Sequence, residues 1–196
     1  MKINLILAVD EKNGLWKNWK LAWDIPTDLK HFKEITSNTE DLAKLNAVIM
    51  WRKTWESIPV KFKPLSDRIN CIITKSIKTN DIGSKIDDFT LFFNSIMHCL
   101  SELESKENLE NIFIIGWASL YNDFLKWELL KFVDKIYLTK VKWDFWCDVF
   151  FDWIPKSFKV EKYSDEIEEN WYTFSFWEYK KQKRFKPLFT VYIQLL

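Results

Sequence analysis

Apolar positions along this chain fall in short runs broken by polar turns, and two spacings alternate. Residues 3–9 form a nearly continuous apolar run fit for a buried strand. Residues 10–22 are rich in turn formers. Over residues 27–35, Leu29, Phe32 and Ile35 stand three apart on one helix face, and Pro26 and Thr27 sit where a helix starts. Residues 46–50 predict a second strand and 52–57 a short helix that Pro59 ends. Residues 69–74 and 90–93 read as strands, 95–103 as a helix, 111–115 as a strand running into Gly116, and 119–125 as the next helix. Residues 133–141 are a strand of mixed alternation. A closing β pair covers 157–163 and 172–179, with Asn170–Trp171 between them.

Strands that alternate with helices predict an α/β fold with a mostly parallel central sheet, and the closing pair predicts an antiparallel C-terminal edge. At 196 residues the chain is expected to hold one domain, 1–180, followed by a basic then apolar tail, 181–196. The tail reads as a loosely docked terminus, or as a membrane-touching segment.

Composition narrows the function classes. Lys and Arg number 29 against 28 Asp and Glu, so a general polyanion binder is not expected, and neither is a nucleic-acid partner. Three cysteines without CxxC spacing exclude a disulfide framework and a cysteine-based metal site; they suggest a reducing, cytoplasmic setting. No run reaches the length of a membrane span, and the N-terminal run reads as a strand, not a signal peptide. His31 is expected on an exposed helix face away from Phe32, His98 carries no sign of a metal site, and Cys147 reads as structural.

Three segments carry candidate chemistry. In residues 22–33 (AWDIPTDLKHFK), Asp28 falls in the first turn of an amphipathic helix. A carboxylate there complements the helix dipole, or it sits in an apolar cleft and binds an amidine-like ring. In residues 49–59 (IMWRKTWESIP), a strand runs into a short helix that opens with two bases and a hydroxyl, a phosphate-binding arrangement. Residues 114–121 (IIGWASLY) make another strand-to-helix turn, and such turns lie at the carboxyl ends of strands, where ligands bind.

In this order and spacing the segments resemble dihydrofolate reductase over residues 2–180. The family pattern PWxxPxDLxxFK appears with Ala22 in place of its proline; MGRxTWES appears as MWRKTWES; IGGxxxY appears as IGWASLY. A later arginine before a strand (Arg68) and an LT strand (Leu138–Thr139) complete the set. The resemblance implies a dihydrofolate reductase-like fold and hydride transfer from NADPH to C6 of dihydrofolate, with a proton reaching N5. In that scheme Asp28 binds the pterin 2-amino group and N3, supported by Trp23 and Thr139. Phe32 stacks on the ring, while Leu7, Val9 and Ile115 line its pocket. Leu29, Ile58 and Leu65 pack on the aminobenzoyl group, and Arg68 pairs with the glutamate carboxylate. On the cofactor side, Arg52 and Lys53 meet the 2′-phosphate, Thr54 the pyrophosphate, and Thr74 and Lys75 the adenosine. The turn Gly116, Trp117, Ala118, Ser119 cradles the pyrophosphate and Tyr121 lies by the nicotinamide. Ala8, Leu15, Trp16, Trp19, Trp51 and Leu120 complete that side, and the loop 14–22 closes over it. A monomer is expected, with no thymidylate synthase segment after residue 180.

One feature of composition departs from the family pattern. The chain has 3 Gly and 12 Trp, whereas a usual share of about 7% gives roughly 14 glycines. Trp16, Trp19, Trp51 and Trp117 stand where the motifs have glycine; Trp143, Trp146 and Trp171 fall in turns, and Trp127 and Trp153 belong with them. Trp23, Trp55 and Trp177 read as genuine tryptophans. The resemblance also implies a cis peptide before Trp117, and an indole there blocks the approach of a pyrophosphate. The expectation is a decoding artefact, with UGA codons read as Trp where the source reads Gly. Two other functions stay open: a ribityl-pyrimidine reductase of the same fold, and a non-catalytic relic inactivated by the tryptophans.

Overall fold

The computed structural model describes residues 2–18, 20–76, 85–87 and 89–182. Trp19 and residues 183–196 of the expected tail lie outside the described residues. In chain order the elements are β1 (Lys2–Val9), β2 (Gly14–Trp16), α1 (Pro26–Ser37), β3 (Leu45–Trp51), α2 (Arg52–Ser57), a 3₁₀ turn (Val60–Phe62), β4 (Arg68–Ile73) and β5 (Lys85–Asp87). They continue with β6 (Thr90–Phe93), α3 (Ile96–Glu104), β7 (Leu109–Ile114), α4 (Ala118–Leu125), α5 (Trp127–Leu130) and β8 (Val133–Val141). The last are β9 (Val149–Phe150), β10 (Phe158–Tyr163), β11 (Ile167–Glu169) and β12 (Tyr172–Lys181).

Among the described residues one sheet runs in the order β10-β12-β8-β1-β7-β3-β4-β6-β5, with β11 added to β12. The strands from β8 to β6 are parallel, and β12 turns antiparallel against β8, as expected for the C-terminal edge. The other end also closes antiparallel, where β5 pairs with β6. The chain is therefore α/β with a mostly parallel sheet and flanking helices.

The central strands are buried on both faces, which is why they read as nearly continuous apolar runs instead of alternating ones. Ile3, Leu5 and Leu7 of β1 join Ala47, Ile49, Cys71, Ile112 and Ile114 under α3 and α4. The intervening Ile6, Val48, Met50, Ile72 and Phe113 face the other way, toward Phe32 and Ile35 of α1 and Trp55 of α2. The period of two along each strand thus feeds two layers of core. A third cluster (Trp23, Ile25, Val141, Cys147, Phe174) seats the entry to α1 against the antiparallel edge.

Pairing between β2 and β9 was not legible as a strand in residues 10–22. The buried Asp10 organises this loop: its Oδ1 accepts from the Gly14 amide at 2.6 Å and the Lys12 amide at 2.9 Å. A Cβ on Gly14 would stand 2.5 Å from the Cys147 Cβ, so glycine is required by this close approach. Cys147 is buried, and its thiol is pushed up to about 12 by burial and the neighbouring Asp10.

Candidate active site

The carboxyl ends of β1 and β7 and the inner faces of α1 and α2 enclose a cavity of about 660 Å³. Asp28 projects into it from the first turn of α1. Pro26 starts that helix without a side-chain cap of its own, but the Glu169 carboxylate of β11 accepts from the Thr27 amide at 3.0 Å. Thr139 of β8 pairs with Ala8 on one side and Phe176 on the other, which brings its hydroxyl under α1. It donates to Asp28 Oδ1 at 2.7 Å. Burial holds the Asp28 carboxyl above the ordinary range, and the Thr139 hydrogen bond partly opposes this. The result is a buried carboxylate in a cavity walled by Leu7, Trp23, Phe32 and Ile115, with Asp24 also on its lining. Trp23 packs on Phe145 at 5.2 Å, and its buried indole nitrogen has no hydrogen-bond partner.

At the other end of the cavity lies Arg68, 3% exposed at the start of β4. Its Nη1 donates to Thr36 Oγ1 at 2.5 Å and its Nε to the Ser66 carbonyl at 2.8 Å, and the guanidinium sits 5.7 Å over the Phe32 ring. Burial lowers its pKa, with Asp67 opposing. Leu29, Ile58 and Leu65 line the wall between Asp28 and Arg68. Asn70 holds Leu65 in place through two backbone contacts at 3.0 Å. The cavity therefore offers a carboxylate at its inner end, apolar walls, and a fixed planar cation at the other. That suits a long ligand with a hydrogen-bonding ring at one end and a carboxylate at the other.

The structure brings Leu7, Ala8, Leu15, Trp16, Trp23, Asp28, Leu29, Phe32, Thr54, Ile58, Leu65, Arg68, Ile115, Gly116, Tyr121 and Thr139 to this cavity. Val9 is buried in the core behind it, and Leu120 is fully buried in the same layer. Several lining residues were not singled out in the sequence, Ile6, Leu21, Ser57 and Phe62 among them. His31 corrects the expectation of an exposed face. It lines the cavity and stacks on Phe176 of β12, centroids 3.9 Å apart, and burial lowers its pKa. His98 is exposed and packs edge-on against Phe93.

The cofactor side is arranged differently. Gly116 (φ 105°) follows β7, and a Cβ there would run into the Thr54 side chain. Its amide donates to the Tyr121 hydroxyl at 2.6 Å, which in turn donates to the Ile6 carbonyl at 2.8 Å. Arg52 donates to Ser76 Oγ at 2.5 Å and pairs with Glu56 at 3.2 Å. Thr74 is buried and shares a 3.0 Å hydrogen bond with Ser76, while Lys75 and Ser119 are exposed and Ala118 buried. Trp51 caps the start of α2 with its indole nitrogen buried and unpartnered. The buried Thr54 hydroxyl has no hydrogen-bond partner. A smaller hollow, about 380 Å³, lies between Lys53, Thr54, Glu56, Ser57, Trp16 and Trp117. Trp16 Nε1 donates to the Gly116 carbonyl at 3.2 Å, and its ring lies 5.5 Å from that of Trp117. Glycines are what let a backbone approach a pyrophosphate. Two indoles at this turn do not fit a dinucleotide. The expected cis bond before Trp117 is not seen either: among the described residues the cis bond is Lys63–Pro64.

Comparison with known proteins shows the family. The family model described as dihydrofolate reductase matches residues 2–181. A putative dihydrofolate reductase from Caenorhabditis elegans is 37% identical over 191 residues, covering 91% of this chain and 96% of that protein. The dihydrofolate reductase of Drosophila melanogaster is 33% identical over 159 residues, 81% of this chain and 84% of that one. A bifunctional dihydrofolate reductase-thymidylate synthase from Arabidopsis thaliana is 34% identical; the match covers 91% of this chain and 34% of the larger protein. A fold with the carboxylate, arginine and apolar walls in these places, matched over nearly its full length, makes the chain a member of the dihydrofolate reductase family.

Proposed function

We propose that this protein reduces 7,8-dihydrofolate to tetrahydrofolate in one-carbon metabolism. The observation that carries the reading is the Asp28 carboxylate, bonded by Thr139 at the inner end of an apolar cavity whose far end is the buried Arg68. Asp28 accepts from the pterin 2-amino group and N3, a pair of donors that a carboxylate matches. By holding the ring in this tautomer it favours protonation at N5. Phe32, Leu7 and Ile115 fill the faces of the ring, and Leu29, Ile58 and Leu65 take the aminobenzoyl group. Arg68 meets the glutamate carboxylate; its Nε and Nη1 are already anchored to Ser66 and Thr36, so the guanidinium is held in one orientation.

The hydride for such a reduction comes, in this family, from a nicotinamide; NADPH is the form proposed here, on the side of Arg52, Lys53 and Thr54, in a chain whose turn is not filled by the indoles of Trp16 and Trp117. No helix of the described residues is long and apolar enough to cross a membrane. Free Cys71, Cys99 and Cys147 fit a reducing, cytoplasmic setting, and a monomer is the form proposed. Calorimetric titration with dihydrofolate and with methotrexate tests the substrate reading. Both should bind, and Asp28→Asn should abolish tight binding of both. Binding of a ribityl-pyrimidine phosphate in place of either would overturn it.

A further inference from the structure

The described tryptophans include two populations. Trp23 is 6% exposed in the third core cluster, and Trp55 packs in the second. Trp146 and Trp171 instead hold φ of 51° and 69°, in the left-handed region that bulky side chains avoid. Both indoles are exposed, Trp171 fully, so no packing offsets the backbone cost at Trp171, and Trp146 has the Lys17 ammonium over its ring at 5.6 Å. Asn170 is also left-handed, with φ of 51°, and it shares with Trp171 the two-residue loop joining β11 to β12. A two-residue hairpin loop with both φ positive is the setting in which Asn-Gly is preferred. Trp153 and Trp143 are likewise exposed. At the cofactor side the misfit is of another kind. The rings of Trp16 and Trp117 pack on each other beside the Gly116 carbonyl and the unpartnered Thr54 hydroxyl. Trp117 is the residue immediately before α4, at the helix end where an anion would seat.

We infer that the indoles of Trp16 and Trp117 plug the dinucleotide half of the cleft, and that the protein made in its own cells carries glycine at these positions, as at Trp146 and Trp171. UGA codons read as glycine at those sites, and UGG at Trp23 and Trp55, account for both populations at once. The glycine form opens a channel beside Thr54, Lys53 and Ser57 wide enough for a pyrophosphate to reach the backbone of residues 116–118. This rests on the reductase reading, since it concerns the same cleft.

The test compares two full-length chains, the one written here and one carrying Trp16→Gly and Trp117→Gly, by calorimetric titration with NADPH and, separately, with methotrexate. Methotrexate should bind both, since Asp28 and Arg68 are unchanged. NADPH should bind the glycine chain more tightly by at least about a hundredfold. Equal NADPH affinity in the two chains overturns the plug. Loss of methotrexate binding in both folded chains overturns the reductase reading instead and leaves the plug to the NADPH arm. Should either chain fail to fold, the gene and the natural protein decide. UGA at positions 16 and 117, with glycine in the corresponding peptides by mass spectrometry, is the expected result. UGG codons, or tryptophan in those peptides, overturn the inference.

Discussion

The Thr139 hydroxyl of β8 donates to the Asp28 carboxylate of α1 at 2.7 Å, joining residues 111 positions apart at the inner end of the cavity. Burial is the larger influence on that carboxyl and raises its pKa, so the site holds a carboxylate at a cost to folding. In the chain carrying Trp16→Gly and Trp117→Gly, Asp28→Asn should lower dihydrofolate reduction by about 10²–10⁴-fold and yet make the protein more resistant to urea near neutral pH. The sign follows from linkage. A carboxyl with a raised folded pKa binds its proton more tightly in the native state, so stability falls as pH climbs from the ordinary value of 3.8 through the raised one. The asparagine variant escapes that loss. The gap between variant and parent should therefore be widest near neutrality and vanish in acid. Urea melts across pH check this; a parent more stable than the variant at neutral pH contradicts it.

Arg68→Lys tests the other end of the cavity. Lysine keeps a charge but loses the fork that lets one edge bond Thr36 and Ser66 while another faces a carboxylate. In the chain carrying Trp16→Gly and Trp117→Gly, KM for dihydrofolate should rise about 10–100-fold with kcat little changed, the pattern of lost uniform binding. A substrate analogue lacking the glutamate should show no difference between the two proteins.

Gly116→Ala should destabilise by about 2–4 kcal/mol, combining a left-handed φ with an overlap against Thr54. Thr54→Ala in the same chain should recover the share of the steric part due to the Thr54 Oγ1 and Cγ2 and leave the conformational part, with the residue 54 Cβ still 2.8 Å away. A double-mutant cycle in urea separates them, and an additive cycle would show that the contact does not matter.

Trp171→Gly should stabilise the β11–β12 hairpin by about 1–2 kcal/mol, the cost of a left-handed conformation for a residue with a Cβ. Methotrexate binding should not change, because Trp171 is fully exposed and lies outside the cavity lining. Thermal melts with and without ligand measure both.

Tyr121→Phe removes the hydroxyl that links the Gly116 amide to the Ile6 carbonyl. Both backbone groups lose a partner in a buried setting, for an expected cost of about 1–3 kcal/mol. Hydrogen exchange at the Gly116 amide should speed up in the variant; unchanged protection there would show that another group holds the turn.

Most of the architecture was legible because the signals are local. The mostly apolar runs in β1, β3, β4 and β7 mark strands buried on both faces, and the spacing of Leu29, Phe32 and Ile35 marks the inner face of α1. The short pieces were not legible: β2, β5, β9 and β11 span two or three residues each, too few for a period to show. His31 shows the same limit within a helix. Position along α1 suggested solvent, but Phe176 arrives from β12 and covers it.

The sequence by itself determined the order of strands and helices, the carboxylate at the start of α1 and the arginine at the start of β4, because hydrophobic period and turn chemistry are written in neighbouring residues. Only the tertiary structure decided which distant groups meet: Thr139 beneath Asp28, Thr36 against Arg68, and the Trp16 indole on that of Trp117. Periodicity records which face of an element is buried; what lies across from that face depends on sheet order and register, which no local spacing encodes.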